Sequence, residues 1–209
     1  PDAVTPQVIA LLEPDGERYL VIWPTSGGAH TRMSPEHLDR VLLTGAGWVH
    51  TTGMCLRHSP LKETILAGLE VAQRAGVPTS LDLNLRVELW GLAEDVRATV
   101  AAAVELSDVV FGNGVEELLP VTGAESVESA VQLLSAGRRT VVARLGESGV
   151  LACGPDGRLV RVPAFASTPV NTVGAGDAFD GGFIAAMLEG RSLSDALRWG
   201  NAVAALKIR

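Results

Sequence analysis

The sequence has few of the features that mark secreted, membrane-spanning or metal-clustering proteins. It contains only two cysteines, Cys55 and Cys153, which lie far apart and have no Cys-x-x-Cys spacing. We therefore expect reduced core residues in a cytoplasmic protein rather than a disulfide or a zinc site. No apolar run approaches the roughly 20 residues that span a bilayer, and the first residues do not resemble a signal peptide. The sequence predicts no membrane partner.

Positive charge is also scarce. The 17 Lys and Arg residues are outnumbered by 24 Asp and Glu residues, which gives a formal net charge of −7. This balance argues against a nucleic-acid partner, because binding to a phosphate backbone needs a basic surface. It leaves nucleotide binding open, since such sites use local backbone amides and one or two cations. Hydrophobic residues make up 47% of the chain, which is enough for a sizeable core.

Several well-known catalytic and nucleotide-binding motifs are missing. No Gly-Lys dipeptide occurs, which excludes a Walker A loop, and no His-Glu-x-x-His segment occurs. The segment Gly174-Ala175-Gly176 continues to Phe179, where a dinucleotide-binding turn has glycine. The segment Gly146-Glu147-Ser148-Gly149 is one residue too short for a nucleophile elbow. None of the four histidines has a partner at metal-binding spacing.

Apolar runs and helical patterns alternate along most of the chain. A hairpin is predicted around residues 7–23, followed by strands at 47–51, 79–83, 108–111, 140–144, 148–153 and 159–162 and helices at 61–75, 93–106, 126–136, 175–189 and 193–207. This order predicts an α/β fold, a three-layer α/β/α sandwich around a mostly parallel sheet. Ligands of such folds bind beyond the carboxyl ends of the strands.

The segment from Asn171 to Phe183 carries the strongest chemical signal. Gly174, Ala175 and Gly176 place small side chains where an apolar helix begins, so that free N–H groups and the helix dipole form an anion hole. Asp177 in the first turn is suited to accept a proton from an attacking hydroxyl. Alternatively, the glycines only make a tight turn and Asp177 only caps the helix.

The residues Asn171 to Phe179 resemble the signature Asp-Thr-x-Gly-Ala-Gly-Asp-x-Phe of ribokinase-like, or PfkB-type, carbohydrate kinases. The resemblance implies that Asp177 is the catalytic base and that the amides of residues 174–177 bind the transferring phosphoryl group. It also implies ATP and Mg²⁺ as cofactors. Asn171 replaces the usual aspartate, which weakens any prediction of a monovalent-cation site.

Other segments match the same family in the expected order. Asn113-Gly114-Val115-Glu116 resembles an Asn-x-x-Glu element, and residues 144–149 resemble a Lys/Arg-x-Gly-x-x-Gly loop. Asn201 falls where the family often has an adenine-pocket residue. The resemblance implies nucleotide contacts from Asn113, Arg144, Gly146, Gly149 and Asn201, and a water-mediated magnesium contact from Glu116.

One segment gives a clue to the substrate. Its residues, Asp82-Leu83-Asn84-Leu85-Arg86 followed by Glu88-Leu89-Trp90, resemble the 2-keto-3-deoxygluconate kinase and fructokinase branch of the family. Arg86 is suited to bind a phosphate or a carboxylate with two hydrogen bonds. The alternative is that Arg86 is an exposed surface residue without a ligand. Asn84 and Tyr19 are predicted substrate contacts, with Trp23 and Thr25 also near the sugar.

No part of this sequence resembles the family's N-terminal segment, which makes up about a third of a usual member. Residues 1–33 then correspond to lid or edge strands and residues 34–209 to the kinase core. The expected reaction is ATP-dependent transfer of the γ-phosphoryl group to a primary hydroxyl of a small sugar or sugar acid. Two alternatives stay open: an inert nucleotide-binding paralogue or fragment, and a kinase for a non-sugar alcohol such as a nucleoside. A homodimer is a further expectation.

Overall fold

The structure, a computed structural model, describes residues 3–12, 18–23 and 27–209. The strands in this part are β1 Gln7–Leu12, β2 Arg18–Trp23, β3 Val49–Thr52, β4 Thr79–Asp82, β5 Val109–Asn113, β6 Thr140–Arg144, β7 Val150–Cys153 and β8 Leu159–Val162. The helices are α1 Arg40–Thr44, α2 Leu61–Arg74, α3 Val87–Trp90, α4 Glu94–Glu105, α5 Leu119–Thr122, α6 Val127–Ser135, α7 Ala175–Leu188 and α8 Leu193–Lys207. A π-helical turn covers Gly114–Leu118.

The described strands form two sheets. β1 and β2 pair antiparallel as a separate ribbon, with Gln7 opposite Trp23, which confirms the predicted hairpin. The connection between the two strands lies outside the described residues. The larger sheet has the order β3-β4-β5-β6-β7-β8; the first four strands run parallel and the last two antiparallel. The predicted mostly parallel sheet is therefore confirmed.

Helices cover both faces of the larger sheet, as the predicted three-layer sandwich requires. Helices α2, α4 and α6 bury apolar side chains such as Leu69, Val100 and Val131 against one face. Helices α7 and α8 cover the other face, where Phe111, Phe179 and Phe183 form edge-to-face and stacked ring contacts. Burial of these large side chains stabilises the layered core.

The parallel strands end where α7 begins. Asp82 ends β4, Asn113 ends β5 and Arg144 ends β6, so three polar side chains meet at one rim of the sheet. This is the edge at which open α/β sheets bind their ligands. Among the described helices, none has both the length and the apolar character needed to cross a bilayer.

Candidate active site

The loop before α7 is fixed by local hydrogen bonds. Asn171 Oδ1 accepts a hydrogen bond from the Val173 N–H at 2.9 Å, and the Ala175 N–H donates to the Thr172 carbonyl at 3.2 Å. Gly174, the residue that caps the helix, has a φ of +78°, a left-handed conformation that favours glycine. The amide of Ala175 is thus already engaged in the turn that opens the helix.

The next two amides of α7 remain available to a ligand. Within the described part of the chain, the N–H groups of Gly176 and Asp177 donate to no residue. They lie at the helix end where unpaired donors and the peptide dipoles favour negative charge. The opening of α7 can therefore hold an anionic group through these two amides.

The side chain of Asp177 stands beside this opening rather than in the core. Asp177 is exposed, and its Oδ2 lies 3.8 Å from the point where a Cβ on Gly174 would be. Lys207, at the end of α8, reaches the same point, with its Cε at 3.5 Å. A carboxylate and an ammonium group thus flank the helix opening. Sequence reasoning missed Lys207 because nothing in its local pattern distinguishes it from a solvated lysine at a helix end.

A buried cluster of three charges lies below the opening. Arg144 donates from Nη2 to Asp82 Oδ1 at 2.5 Å and from Nη1 to Asp180 Oδ1 at 2.9 Å. Burial raises the pKa of Asp180 well above the ordinary range, although the Arg144 charge acts in the opposite direction. Burial alone would lower the pKa of Arg144, but Asp180 and Asp82 raise it above its usual value. The sequence offered no signal for Asp180 as a polar partner.

His50 contributes a second titratable group near Asp177. Its Nδ1 lies 2.8 Å from Ser80 Oγ, which also accepts a hydrogen bond from Trp48 Nε1 at 2.8 Å. Part of the His50 side chain is exposed at the sheet edge, yet burial lowers its pKa, and the charges of Asp82 and Asp177 partly oppose that shift. Sequence reasoning set His50 aside because it has no metal-binding partner.

A cleft of about 530 Å³ adjoins the rim of the sheet. Among its lining residues are four of the predicted nucleotide and magnesium ligands: Asn113, Glu116, Arg144 and Gly146. The volume falls in the range of small-molecule sites, about 300–1,000 Å³. The structure thus gathers these four residues around one space.

Asn113 shapes this cleft as the cap of the π-helical turn. Its Oδ1 accepts hydrogen bonds from the N–H groups of Val115 and Glu116, both at 3.0 Å. Its Nδ2 donates to Glu116 Oε2 at 3.0 Å, so the two predicted ligands contact each other directly. The Asn-x-x-Glu spacing brings this pair together because the cap residue and the third residue after it share one turn.

Two other predicted nucleotide residues have strong packing roles. The Asn201 side chain is buried and its Nδ2 donates to the Pro163 carbonyl at 2.9 Å, which ties α8 to the end of β8. Gly149 has a φ of +85°, and a Cβ there would lie 2.1 Å from the Val162 carbonyl oxygen. A nucleotide contact by either residue stays a prediction.

The predicted substrate segment after β4 has an unusual backbone. Asn84 and Arg86 have φ values of 34° and 50°, a left-handed conformation that is rare for residues with a side chain. Such conformations persist where the surroundings hold them, often at functional sites. Both side chains are half-buried, and no described residue accepts a hydrogen bond from the Arg86 guanidinium.

The remaining predicted sugar contacts belong to the hairpin. Tyr19 lies in β2 opposite Leu11, and its side chain is outside the described part of the structure. Trp23 ends β2 with an exposed side chain, while Thr25 falls outside the described residues. The contacts of these residues with a sugar stay predictions.

Glu117 ties the predicted substrate segment to the end of β5. Its Oε1 accepts from the Leu85 N–H at 2.6 Å and its Oε2 from the Asn113 N–H at 2.8 Å. Burial raises the pKa of Glu117, although these two N–H donors act in the opposite direction. The sequence pointed to the neighbouring Glu116, since spacing alone does not show which of two adjacent glutamates is buried.

Glu117→Gln is expected to lower the free energy of unfolding by about 1–3 kcal/mol, because a glutamine has one acceptor oxygen for two buried N–H donors. Denaturant unfolding monitored by circular dichroism measures the change. The adjacent Glu116→Gln is the matched control, because Glu116 is exposed and its loss is expected to cost less than about 0.5 kcal/mol. Equal effects from both variants would contradict this role.

The residues of the cleft fit a magnesium ion that is held mainly by a nucleotide. Glu116 offers an exposed carboxylate at the cleft, and the described residues contain no group of three or more His, Cys, Asp or Glu side chains that could hold a metal by themselves. Mg²⁺ characteristically binds through one or two carboxylates together with substrate phosphates and waters. Glu116 is therefore a suitable protein ligand, directly or through water.

Comparisons with known proteins identify curated kinases that this chain is similar to. The chain is 28% identical over 181 residues to the 5-dehydro-2-deoxygluconokinase of Photobacterium profundum, covering 84% of this chain and 55% of that protein. It is 30% identical over 185 residues to a fructokinase of Klebsiella pneumoniae, covering 88% of this chain and 59% of that protein. The chain thus spans little more than half the length of these curated relatives.

A solved structure shares the fold. The fructokinase of Vibrio cholerae O395, crystallised with fructose, ADP and calcium, superposes with a TM-score of 0.80 at 27% identity, over 99% of this chain and 68% of that one. Residues 1–209 match the description of pfkB family carbohydrate kinases. The match spans both the hairpin and the layered core, so the chain belongs to the pfkB family of carbohydrate kinases.

Proposed function

We propose that this chain carries the phosphoryl-transfer site of an ATP-dependent kinase whose acceptor is a primary hydroxyl of a sugar or sugar acid. The observation that carries the proposal is the exposed carboxylate of Asp177 beside the two unengaged amides of Gly176 and Asp177. A base and an anion hole at one helix opening are the two elements that phosphoryl transfer to an alcohol needs from a protein.

Asp177 has the position to accept the proton of the attacking hydroxyl. Its carboxylate reaches solvent at the rim, so that an acceptor can approach it without displacing core side chains. The amides of Gly176 and Asp177 are oriented toward charge that develops on the transferring group, because they form the positive end of α7. Lys207 adds a positive charge to the same opening.

The cleft around Asn113, Glu116 and Gly146 is the proposed nucleotide site. It adjoins the opening of α7 through Arg144, which lines the cleft and also lies below Gly176. Bound Mg²⁺ would neutralise negative charge on the nucleotide phosphates, with Glu116 as its protein ligand. The Vibrio cholerae fructokinase, which was crystallised with ADP, supports a nucleotide in this family.

The acceptor is proposed to be a small sugar acid or a ketose. Relatives of this chain are named 5-dehydro-2-deoxygluconokinase and fructokinase, and a keto-deoxy sugar acid carries a carboxylate that an arginine can bind. Arg86 is the candidate, because it lies just beyond β4 and its guanidinium has no acceptor among the described residues. A nucleoside acceptor is the less supported alternative.

Arg86→Met is expected to raise KM for a sugar acid by about 10- to 100-fold, since a charged hydrogen bond contributes about 1.5–3 kcal/mol. KM for fructose, which has no carboxylate, is expected to change much less. The measurement is an ADP-coupled assay with 2-keto-3-deoxygluconate and fructose. Arg198→Met on the exposed face of α8 is the control. A parallel loss for both sugars would remove the carboxylate role of Arg86.

The proposal as a whole is tested by sugar-dependent ADP formation in the intact protein. The panel consists of 2-keto-3-deoxygluconate, fructose, ribose and adenosine, each with ATP and Mg²⁺. Turnover with one of the first two supports the proposal, and turnover with adenosine alone favours the nucleoside alternative. Nucleotide binding without any acceptor-dependent turnover would favour an inert paralogue.

A cytoplasmic location and a homodimer belong to the same proposal. Cys55 and Cys153 are unpaired, which suits a reducing compartment. The hairpin exposes apolar side chains, among them Val8, Ile9 and Trp23, which a second copy could cover. Size-exclusion chromatography with light scattering distinguishes a dimer from a monomer.

A further inference from the structure

The opening of α7 rests on a buried guanidinium. Arg144 lies at the end of β6 and reaches across β5 to Asp82 at the end of β4, because β5 separates these two strands in the sheet. It also pairs with Asp180, which lies in the second turn of α7. The side chains are 17% exposed for Arg144, 5% for Asp82 and 2% for Asp180, so water screens these pairs little. One side chain therefore joins two strand ends to one helix.

The helix backbone comes close to this guanidinium at Gly176. A Cβ on Gly176 would lie 3.0 Å from Arg144 Nη1 and 3.2 Å from Cζ. Contacts of this length are tighter than ordinary van der Waals contact, so either the turn or the arginine would have to shift. The peptide whose N–H faces the proposed phosphoryl group thus lies against the guanidinium group of Arg144.

We propose that Arg144 is a positioning residue that sets the place of the α7 opening through its two carboxylate partners, and that Gly176 is glycine because the guanidinium lies beneath it. The inference rests on the proposed kinase function. It differs from the predicted nucleotide contact of Arg144, because both of its terminal nitrogens already bind carboxylates.

The geometry of the fork, not only its charge, carries this role. A planar guanidinium can hold Asp82 and Asp180 at the same time with fixed angles, whereas a lysine ammonium is a single point charge on a flexible stem. Arg144→Lys keeps the positive charge in the buried cluster, but it cannot hold both carboxylates in their present places. The variant therefore separates positioning from charge.

The expected result for Arg144→Lys is a fall in kcat of about tenfold or more, because small displacements of a catalytic group are costly. KM for ATP is expected to stay within about threefold. Hydrogen exchange of the amides from Ala178 to Asp180, where the hydrogen bonds of α7 begin, is expected to accelerate relative to the rest of the helix. Arg138→Lys, in an exposed pair with Glu105, is the matched control and should change none of these quantities.

A double-mutant cycle tests the link from the helix side. Gly176→Ala should lower kcat strongly when Arg144 is present and much less in the Arg144→Lys background, because a lysine lacks Nη1, the atom nearest the new Cβ, and its flexible stem can move Nζ away. Additive effects would mean that Gly176 serves only the approach of the phosphoryl group, and they would overturn the inference. The cycle uses kcat per folded molecule, so that a single variant that folds only in part can still be included in it.

The outcomes distinguish this inference from the proposed function. A rise in KM for ATP with an unchanged kcat in Arg144→Lys would assign Arg144 to nucleotide binding and overturn the positioning role. A loss of folded protein with normal kcat per folded molecule and unchanged local exchange would overturn it as well. If the wild-type protein shows no kinase activity, the proposed function fails, and the exchange measurement alone then decides whether Arg144 positions the turn.

Discussion

Asp177→Asn is expected to lower kcat by at least about 100-fold, which is the low end of the contribution of a general base. The asparagine keeps the size and the polar character of the side chain but cannot take the hydroxyl proton. Affinity for ADP is expected to remain within about threefold, because the amides of Gly176 and Asp177 are unaltered. Steady-state kinetics and calorimetric titration measure the two quantities.

The matched control for this variant is Asp195→Asn. Asp195 is the third residue of α8, as Asp177 is the third residue of α7, but it faces Ser192 at the start of its own helix. Its replacement should leave kcat within about twofold. Full turnover in Asp177→Asn would remove the proposed base. A parallel loss of ADP affinity would show that the aspartate serves the anion site instead.

Gly149→Ala is expected to destabilise the protein by more than about 3 kcal/mol, well above the usual effect of a substitution. An added Cβ would lie 2.1 Å from the Val162 carbonyl oxygen and 2.6 Å from the Ala164 nitrogen, and both are backbone atoms that cannot rotate away. The φ of +85° adds a further penalty for any residue with a side chain. Thermal or denaturant unfolding measures the loss.

Gly146→Ala in the same loop separates the two causes. Gly146 also has a positive φ, +59°, but no atom lies within 4 Å of its added Cβ. Only the backbone penalty of about 1–2 kcal/mol applies there. If both alanine variants lost the same stability, the close approach of Gly149 to the end of β8 would not be the cause.

The strands and long helices could be predicted from the sequence because their signals are local. The strand predicted at residues 140–144 matches β6, and the helix predicted at 193–207 matches α8. The family resemblance is also read from short local runs, of which the run around Asp177 is the strongest. Apolar runs of strand length and glycines at helix ends indicate such elements without knowledge of their partners.

The buried polar partners could not be predicted because they depend on distant contacts. Arg144 meets Asp82 from another strand and Asp180 from a later helix, and no spacing in the sequence links the three. Glu117 differs from Glu116 only in the face of the turn that it occupies. Such residues look like ordinary charged side chains until the sheet and helices bring them together.

The most direct test of the central claim is a crystal structure of the intact protein with ADP, Mg²⁺, aluminium fluoride and the acceptor sugar. The fluoride group, which mimics the transferring phosphoryl, is expected within hydrogen-bond distance of the Gly176 and Asp177 amides. The acceptor hydroxyl is expected about 2.6–3.2 Å from the Asp177 carboxylate. A fluoride group bound away from the opening of α7, or a hydroxyl that contacts another base, would contradict the account.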